Sequence, residues 1–451
     1  MAVSAGKLHQ YAYMDRTISR ANNISVKAES GNSNETISIA GANGAEAPDD
    51  DSSSGSSDDS DSQSPDSLVN KALASGKKVG SGTDGISETE SKTPQSAETT
   101  EGKVTVAAAV AVDAWNDETV ASISGSTKSN TLEVAALAHN DVTVKANASS
   151  TLSTNGVGVS VAILVGNLVN RAQISGSHET GYFLVRAGMP TDSNGKETTN
   201  TIEVISISGA GASNVGEAGA VAINIFNTAY TANVNGNLTA TGNQDSSVTA
   251  KVNQKMTTKA GASAGLEGAE SGNGNSGNTG NSGNSGSNKS VGVGASFGLT
   301  IADTTADAKV AGGNISTKGN FAVKSVINSE IETYVEAGND AYEDAEGNST
   351  SGNSSNKNDR KYDSLDAAVS VSLVSNNVNA EISSGTTVDA GGNLDIYAES
   401  ASKTETTAKG DAKAENAAVG ASVAVNLVAE KVSALLAGTA SVGGEFTVHA
   451  I

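Results

Sequence analysis

The chain has 451 residues and a formal charge of −22, from 28 Lys and Arg against 50 Asp and Glu, with no Cys and a single Trp. This balance excludes a nucleic-acid backbone as partner, and the missing Cys excludes disulfides, thiol catalysis and thiolate metal sites. No apolar run reaches the roughly 18–20 residues of a membrane helix, and only 5 Phe and 4 Met are available for a thick core.

The amino-terminal part contains one recognisable strand and one polar insert. The start at Met1 lacks the basic and apolar segments of a signal peptide, and residues 23–28 resemble strands found near the ends of later repeats, so residues 1–30 are interpreted as the end of a truncated repeat. Residues 31–102 form an acidic insert rich in Ser and Asp. Its segment 41–102 has 13 acids, 4 Lys and no aromatic residue, which predicts disorder.

Six segments after this insert align with one another without a gap. They share four apolar positions two residues apart, followed by an Ala, a further apolar residue and a Gly or Ser; the first copy has Val106, Ala108, Val110, Val112, Ala121, Ile123 and Gly125. The period of two predicts strands. We expect these apolar side chains to face the interior, and the Ala, Ser and Gly between them to form a small, flat outer face. The later copies begin at Val157, Glu217, Val293, Leu365 and Val419, and in the third copy Glu217 and Gly219 interrupt the apolar positions.

Two further positions recur in the aligned copies, and we call each set of aligned residues a column. Asn or Asp follows the first strand in four copies, which predicts a turn because these side chains bond nearby backbone; they are Asn116, Asn167, Asn227 and Asp303. The column that begins at Gly125 ends the second strand and predicts a bend with positive φ; the later members are Gly176, Gly236, Gly312, Ser384 and Gly438, at intervals of 51, 60, 76, 72 and 54 residues.

A third strand closes most repeats, at residues 141–144, 201–204, 320–323, 393–396 and 445–448. Repeats 1–3 therefore occupy 103–263, repeat 4 occupies 290–336 and repeats 5–6 occupy 365–451. Residues 264–289 are a linker of Gly, Asn and Ser, and 337–364 a polar loop. We predict an all-β fold, a parallel β-solenoid (β-helix) of about six degenerate repeats with disordered polar inserts. Neither sequence end shows a polar capping repeat, so we expect the array to continue.

Two short motifs lack the structural context that their chemistry requires. Residues 261–265 match the nucleophile elbow, but no helix follows; residues 272–277 match the dinucleotide fingerprint, but they lie inside the linker. The tripeptide 409–411 resembles a receptor-binding turn. A tripeptide is weak evidence, and none of the three motifs supports a site.

Acidic residues beside the single Trp are the strongest enzymatic signal. Asp113, Asp117 and Glu118 flank Trp115, and a pair of carboxylates beside an aromatic ring is the arrangement that cleaves glycosidic bonds. We expect Asp113 to point outward and the other two acids to lie in a solvated turn beside a partly buried Trp. The prediction is therefore a chain without catalytic residues, with a carbohydrate-active β-helix enzyme as the alternative.

The sequence also shows no residue spacing typical of a metal site. His9, His139, His178 and His449 show no ligand spacing. Calcium is the ion that the charge favours, with oxygens from the acids of 49–61 or 340–346, yet no calcium-binding loop motif occurs. We therefore predict no cofactor-binding or metal residues and no cofactor, with a calcium-stiffened toxin segment as a further alternative.

Residues 419–426 (VGASVAVN) and 387–398 (TVDAGGNLDIYA) resemble the passenger repeats of leukotoxin-like filamentous adhesins and related bacterial autotransporters. The resemblance covers roughly 103–451 apart from the inserts, together with 17–30. It implies a parallel β-solenoid stalk, export across the envelope, and an adhesive or toxin-associated role. It transfers no site residues, because the matching positions are structural. The chain departs from the family in lacking a signal sequence and a membrane anchor, which we expect outside this segment.

The resulting expectation is a non-enzymatic shaft segment of a large secreted or surface-exposed bacterial protein. It would act as a rigid spacer and a multivalent contact surface, located outside the cell or at the outer-membrane surface. The expected partner is a receptor or glycan of a host or neighbouring cell. Nucleic acid is not expected as a partner, and a membrane only through regions outside this segment.

Overall fold

The computed structural model describes residues 1–44, 97–99, 104–266, 290–338, 362–414 and 416–451. Within these ranges the chain forms seventeen strands and no helix, and every pairing between strands is parallel. The predicted all-β parallel solenoid is therefore confirmed. The strands are β1 (Ala2–Asp15), β2 (Asn23–Gly44), β3 (Ala97–Thr99), β4 (Val104–Ser124), β5 (Ser126–Lys128), β6 (Thr131–Thr180), β7 (Tyr182–Gly188), β8 (Asn200–Ala240), β9 (Ser246–Leu266), β10 (Ser290–Thr317), β11 (Phe321–Gly338), β12 (Tyr362–Ile382), β13 (Thr386–Ala390), β14 (Leu394–Asp411), β15 (Ala417–Leu436), β16 (Thr439–Val442) and β17 (Phe446–Ala450).

Each coil of the solenoid contributes to three rows of stacked strands. The first row holds β1, β4, 155–174 of β6, 215–235 of β8, 290–310 of β10, β12 and β15. The short corner row holds β5, β13, β16 and the last residues of β6, β8 and β10. The second row holds β2, 131–151 of β6, β7 with 200–212 of β8, β9, β11, β14 and β17. The two long rows form the two sheets that enclose the core.

The register of the first row reproduces the repeat spacing. Ile123 pairs with Ile174, which pairs with Val234, and the series continues through Val310, Ile382 and Leu436. One more rung precedes the six repeats, because Ala2–Asp15 pairs in parallel with β4. Residues 1–30 thus contain a first-row strand as well as a second-row strand, rather than only the end of a repeat.

The predicted inserts enter the solenoid at one corner, between the second row and the next first row. The described chain is interrupted there after Gly44, Leu266 and Gly338, whereas β6 and β8 pass the same corner without a break. The first insert begins later than expected, since β2 continues to Gly44, and residues 97–99 pair with the end of β2. The remaining insert residues lie outside the described part of the chain.

The apolar columns of the first row do not all face the interior. Ala121 and Ile123 are fully buried, but Val106, Val110 and Val112 lie on the outer face, and Val106 is 62% exposed. The expected turn at Asn116 is absent, because β4 is continuous from Val104 to Ser124. In an unbroken strand, residues separated by an odd number lie on opposite faces. Positions 112 and 121 are separated by nine, an odd number, so the two sets lie on opposite sides, and the predicted inward face was wrong for the first set.

Close approach of the two sheets explains this inversion. A Cβ atom on Gly158 would lie 2.2 Å from the carbonyl oxygen of Gly209, and the hydroxyl oxygens of Ser160 and Ser206 are 2.7 Å apart. We call this side, where the first row begins and the second row ends, the thin edge. Most inward first-row side chains at this edge are small, as at Ala107, Ala109 and Ser160, with Asp366 an exception, and the larger valines point outward.

The opposite side, beside the corner row, is the thick edge and holds the large side chains. Phe183 and Phe321 contact each other there, with ring centroids 5.6 Å apart, and Ile174 and Leu132 are fully buried nearby. Toward the middle, Trp115 stacks on Phe226 at 6.1 Å. The core is therefore a wedge that widens from small residues to aromatic ones.

Positive φ occurs at the corner that follows the first row, as predicted, although its position varies. Gly125 and Gly176 have φ of 96° and 101°. In the fourth and fifth repeats the positive φ falls one residue later than expected, at Gly313 and Gly385, and a register shift between Val310 and Gly312 accounts for the first displacement. Gly236, Gly312 and Gly438 do not adopt positive φ.

Candidate interaction surface

The carboxylates singled out in the sequence lie inside the solenoid rather than in a groove. Asp113 and Asp117 are 0% exposed and Trp115 is 5% exposed, all three pointing inward from β4, while Glu118 lies on the outer face. The expected outward Asp113 and the solvated turn are therefore wrong. The unbroken strand explains both errors, because it places positions 113, 115 and 117 on one side and position 118 on the other.

Each buried aspartate has polar partners on one of its two oxygens. Asn34 donates from Nδ2 to Asp113 Oδ2 at 2.6 Å; Ser30 and Asn140 donate to Asp117 Oδ2 at 3.0 and 3.2 Å. The second oxygen of each carboxyl has no donor among the described residues. Burial raises the pKa of both groups above the ordinary range. This arrangement holds a strand in place, and a polysaccharide has no access to it.

Replacing Asp117 with asparagine is expected to stabilise the fold increasingly as the pH rises. A raised folded-state pKa supplies stability below the unfolded pKa near 4, and that stability is lost as pH rises through the folded pKa. Asparagine does not ionise, so its advantage over aspartate grows as the pH rises from about 4 through the raised folded-state pKa, by about 1.4 kcal/mol for each unit of pKa elevation. Urea melts at several pH values measure the difference.

Glu118→Gln is the matched control, and its expected effect on the free energy of unfolding has the opposite sign. Tyr11 donates its hydroxyl to Glu118 at 2.7 Å, and the pKa of this glutamate is lowered mainly by that bond. Its ionised form therefore stabilises the fold, and the deficit of the glutamine variant develops as pH rises from the lowered folded-state pKa to the unfolded value of about 4.3 and stays constant above it. If the free energies of unfolding of Asp117→Asn and the parent protein differed by the same amount at every pH, this result would contradict the account of Asp117.

The remaining sequence candidates are separated from one another. His178 is buried at the corner row beside Thr127, where burial lowers its pKa, and Lys409 lies in β14 with its ammonium 2.7 Å from the hydroxyl of Tyr334. Residues 261–265 belong to β9. Among the described residues, no group of three Asp, Glu or His side chains is placed to hold a metal ion. The linker motif 272–277 and the acids of 49–61 and 340–346 lie outside the described residues.

The most unusual surface is the outer face of the first row. Five outward columns on six consecutive rungs, from β4 to β15, form a continuous apolar lattice that we call the apolar face. Glu217 is its single charged residue, and Gly219 its single residue without a side chain. The lattice consists of Val106, Ala108, Val110, Val112, Ala114, Val157, Val159, Val161, Ile163, Val165, Glu217, Gly219, Val221, Ile223, Ile225, Val293, Ala295, Phe297, Leu299, Ile301, Leu365, Ala367, Val369, Val371, Leu373, Val419, Ala421, Val423, Val425 and Leu427.

Several of these side chains are strongly exposed. Val159 is 41% exposed, Leu365 48% and Val419 56%. Sequence reasoning missed this surface because it assigned the same columns to the core. The odd separation between the two sets of apolar columns was the signal that could have found it.

The outer face of the second row is an ordinary solvent-facing surface. Oppositely charged residues pair there across neighbouring rungs, as in Lys145 with Glu203 at 3.3 Å and Lys324 with Asp395 at 3.0 Å. Other pairs on this face are Lys255 with Glu330 and Lys259 with Glu332. Charged pairs of the first row, Arg171 with Glu118 and Lys309 with Glu381, lie outside the apolar face, on the side of the thick edge.

A ladder of amides borders the apolar face on the side of the thick edge. Asn167 donates from Nδ2 to Asn116 Oδ1 at 2.7 Å, and Asn227 donates to Asn167 in the same way at 2.8 Å. The Asn column that predicted a turn therefore stabilises the stacking of rungs.

Comparison of the chain with protein-family models, with curated proteins and with solved structures finds no match. Among the described residues there is also no helix with the length and hydropathy to cross a membrane.

Proposed function

We propose that this chain is a non-enzymatic shaft segment of a large secreted or surface-exposed bacterial protein, and that its main task is to present a broad contact surface. The proposal places it outside the cell or at the outer-membrane surface. Its partner is a receptor or glycan of a host or neighbouring cell. The resemblance of residues 387–398 and 419–426 to filamentous-adhesin repeats supports this assignment.

The dimensions of a coil favour a contact surface over a simple spacer. Each coil adds only about 4.8 Å along the solenoid axis, whereas a strand such as Val104–Ser124 extends about 65 Å across it. An α-helix produces 1.5 Å of length for each residue, so the same chain would build a far longer spacer as a helix. Wide coils therefore provide surface area rather than length. Many weak contacts over that area act together, because each contact that forms raises the effective concentration for the next.

The observation that carries the proposal is the stack of seven rungs with continuous parallel register from β1 to β15. Each rung donates and accepts backbone hydrogen bonds along its length, which makes such a stack stiff and resistant to local opening. The burial of Asp113 and Asp117 also favours a structural role over glycoside cleavage.

Binding to a glycan array tests the contact function. The purified chain is attached to beads at increasing density, and we expect retention on particular glycans to rise more steeply than density, without release of new reducing ends. The same assay with Asp117→Asn separates binding from catalysis. Retention that is absent at every density would contradict the adhesive role, and sugar release that Asp117→Asn abolishes would establish an enzyme instead.

A further inference from the structure

We propose that the apolar face pairs with the apolar face of a second copy of this chain, so that two solenoids join sheet to sheet. This inference concerns the assembly of the chain and stands independently of the receptor-binding role. It rests on the size of the face, on its shape, and on the distribution of charge around it.

The size of the apolar face matches that of a stable protein interface. Six rungs at about 4.8 Å and five outward columns at about 6.6 Å give an area of about 950 Å². The largest apolar patch on a typical monomer is about 300–600 Å², and a standard interface buries about 800 Å² on each partner. The face is therefore too large for an isolated soluble surface and large enough for a specific dimer.

The shape of the face favours a copy of itself. Its residues form straight ladders, mostly of Val, Ile, Leu and Ala, as in the column of Val161, Val221, Phe297 and Val369. Two such surfaces can interdigitate at the separation of about 10 Å found in β-sandwiches. A two-fold arrangement then buries the same patch on both copies and leaves no apolar face exposed to recruit further chains.

The distribution of charge argues against a lipid surface as the occupant. Peripheral binding to anionic lipid requires clusters of Lys and Arg beside the apolar residues. Here Glu217 lies in the outermost column, Asp303 follows the face in the Asn column, and the whole chain has a charge of −22. The paired charges of the second row remain solvent-exposed on both outer sides of the dimer, where they oppose further lateral stacking.

Sedimentation equilibrium of the full chain tests the pairing with a matched pair of variants. Ile223→Lys introduces a charge between Ile163 and Leu299 at the centre of the apolar face; Ile207→Lys introduces the same charge on the second row, between Asn147 and Gly261. Both variants lower the net negative charge equally, so general repulsion cannot separate them. We expect the parent and Ile207→Lys to be dimeric, and Ile223→Lys to associate at least about 30-fold more weakly.

A milder variant protects the test against misfolding. Ile223→Thr keeps the β-branched shape, and it should weaken association while its melting curve stays close to that of the parent. A parent chain that is monomeric at about 100 µM would overturn the proposal, as would equal weakening by Ile207→Lys. Binding of the monomeric parent to phosphatidylcholine or phosphatidylglycerol vesicles would assign the face to lipid and would also overturn it.

Discussion

Replacing Gly158 with valine is expected to lower the free energy of unfolding by about 3 kcal/mol or more, because the new side chain has no space between the sheets. Its Cβ atom would meet the carbonyl oxygen of Gly209 at 2.2 Å and the hydroxyl of Ser208 at 2.9 Å. Both neighbours belong to the opposing sheet, so the strands must separate along the thin edge to admit the side chain. Denaturant melts followed by far-UV circular dichroism measure the loss.

The adjacent residue supplies the control for this prediction. Val159 points outward and is 41% exposed, so Val159→Ala should change the free energy of unfolding of dilute protein by no more than about 0.5 kcal/mol. The columns read from the sequence alone imply the reverse order, with Val159 in the core. A greater loss of unfolding free energy for Val159→Ala than for Gly158→Val would therefore contradict the inverted packing.

Replacing Phe226 with alanine is the second change with a large expected effect, and it should lower the free energy of unfolding by about 3–5 kcal/mol. This ring is 2% exposed, stacks on Trp115 with centroids 6.1 Å apart, and occupies the space beside Gly166 on the rung between them. Removing it leaves a cavity that the surrounding backbone ladders cannot collapse to fill. Phe297 on the apolar face is the matched control, and its truncation should cost markedly less in dilute protein.

Gly166 provides an independent check on the same contact. A Cβ atom there would lie 2.2 Å from Cε2 of Phe226, so Gly166→Ala alone should destabilise the chain by overpacking. In the Phe226→Ala background the clash disappears, and the same substitution should cost little or should restore stability. Additive effects of the two substitutions would show that the two residues are not in contact.

The strand rows and their spacing could be predicted from the sequence. The column of Ile123, Ile174, Val234, Val310 and Ile382 sets a register that the structure reproduces. The closing strands at residues 320–323, 393–396 and 445–448 also share the second row with 23–26, whereas residues 141–144 and 201–204 lie further along that row. The repeat predicts which residues stack on one another, because equivalent residues of successive coils occupy equivalent places in the stack.

The inward direction of each column could not be predicted by the same reasoning. Apolar residues are common on protein surfaces as well as in cores, so the column of Val110 and Val161 did not itself define an inner face. The deciding quantity is the distance between the two sheets, which depends on residues far apart in the chain, such as Gly158 and Gly209. The same limitation concealed the burial of Asp113 and Asp117 and the existence of the apolar face.

A disulfide across the thin edge tests the packing most directly. The chain has no Cys, so Ser160→Cys with Ser206→Cys forms its only intramolecular pair. The two serine hydroxyl oxygens are 2.7 Å apart, which brings the side chains within disulfide reach. We expect this variant to close on mild oxidation into a monomer of higher mobility on a non-reducing gel, whereas Val161→Cys with Ile205→Cys, on opposite outer faces, forms no bond within one chain and gives no such band. Closure of the second pair and not of the first would contradict the inverted packing.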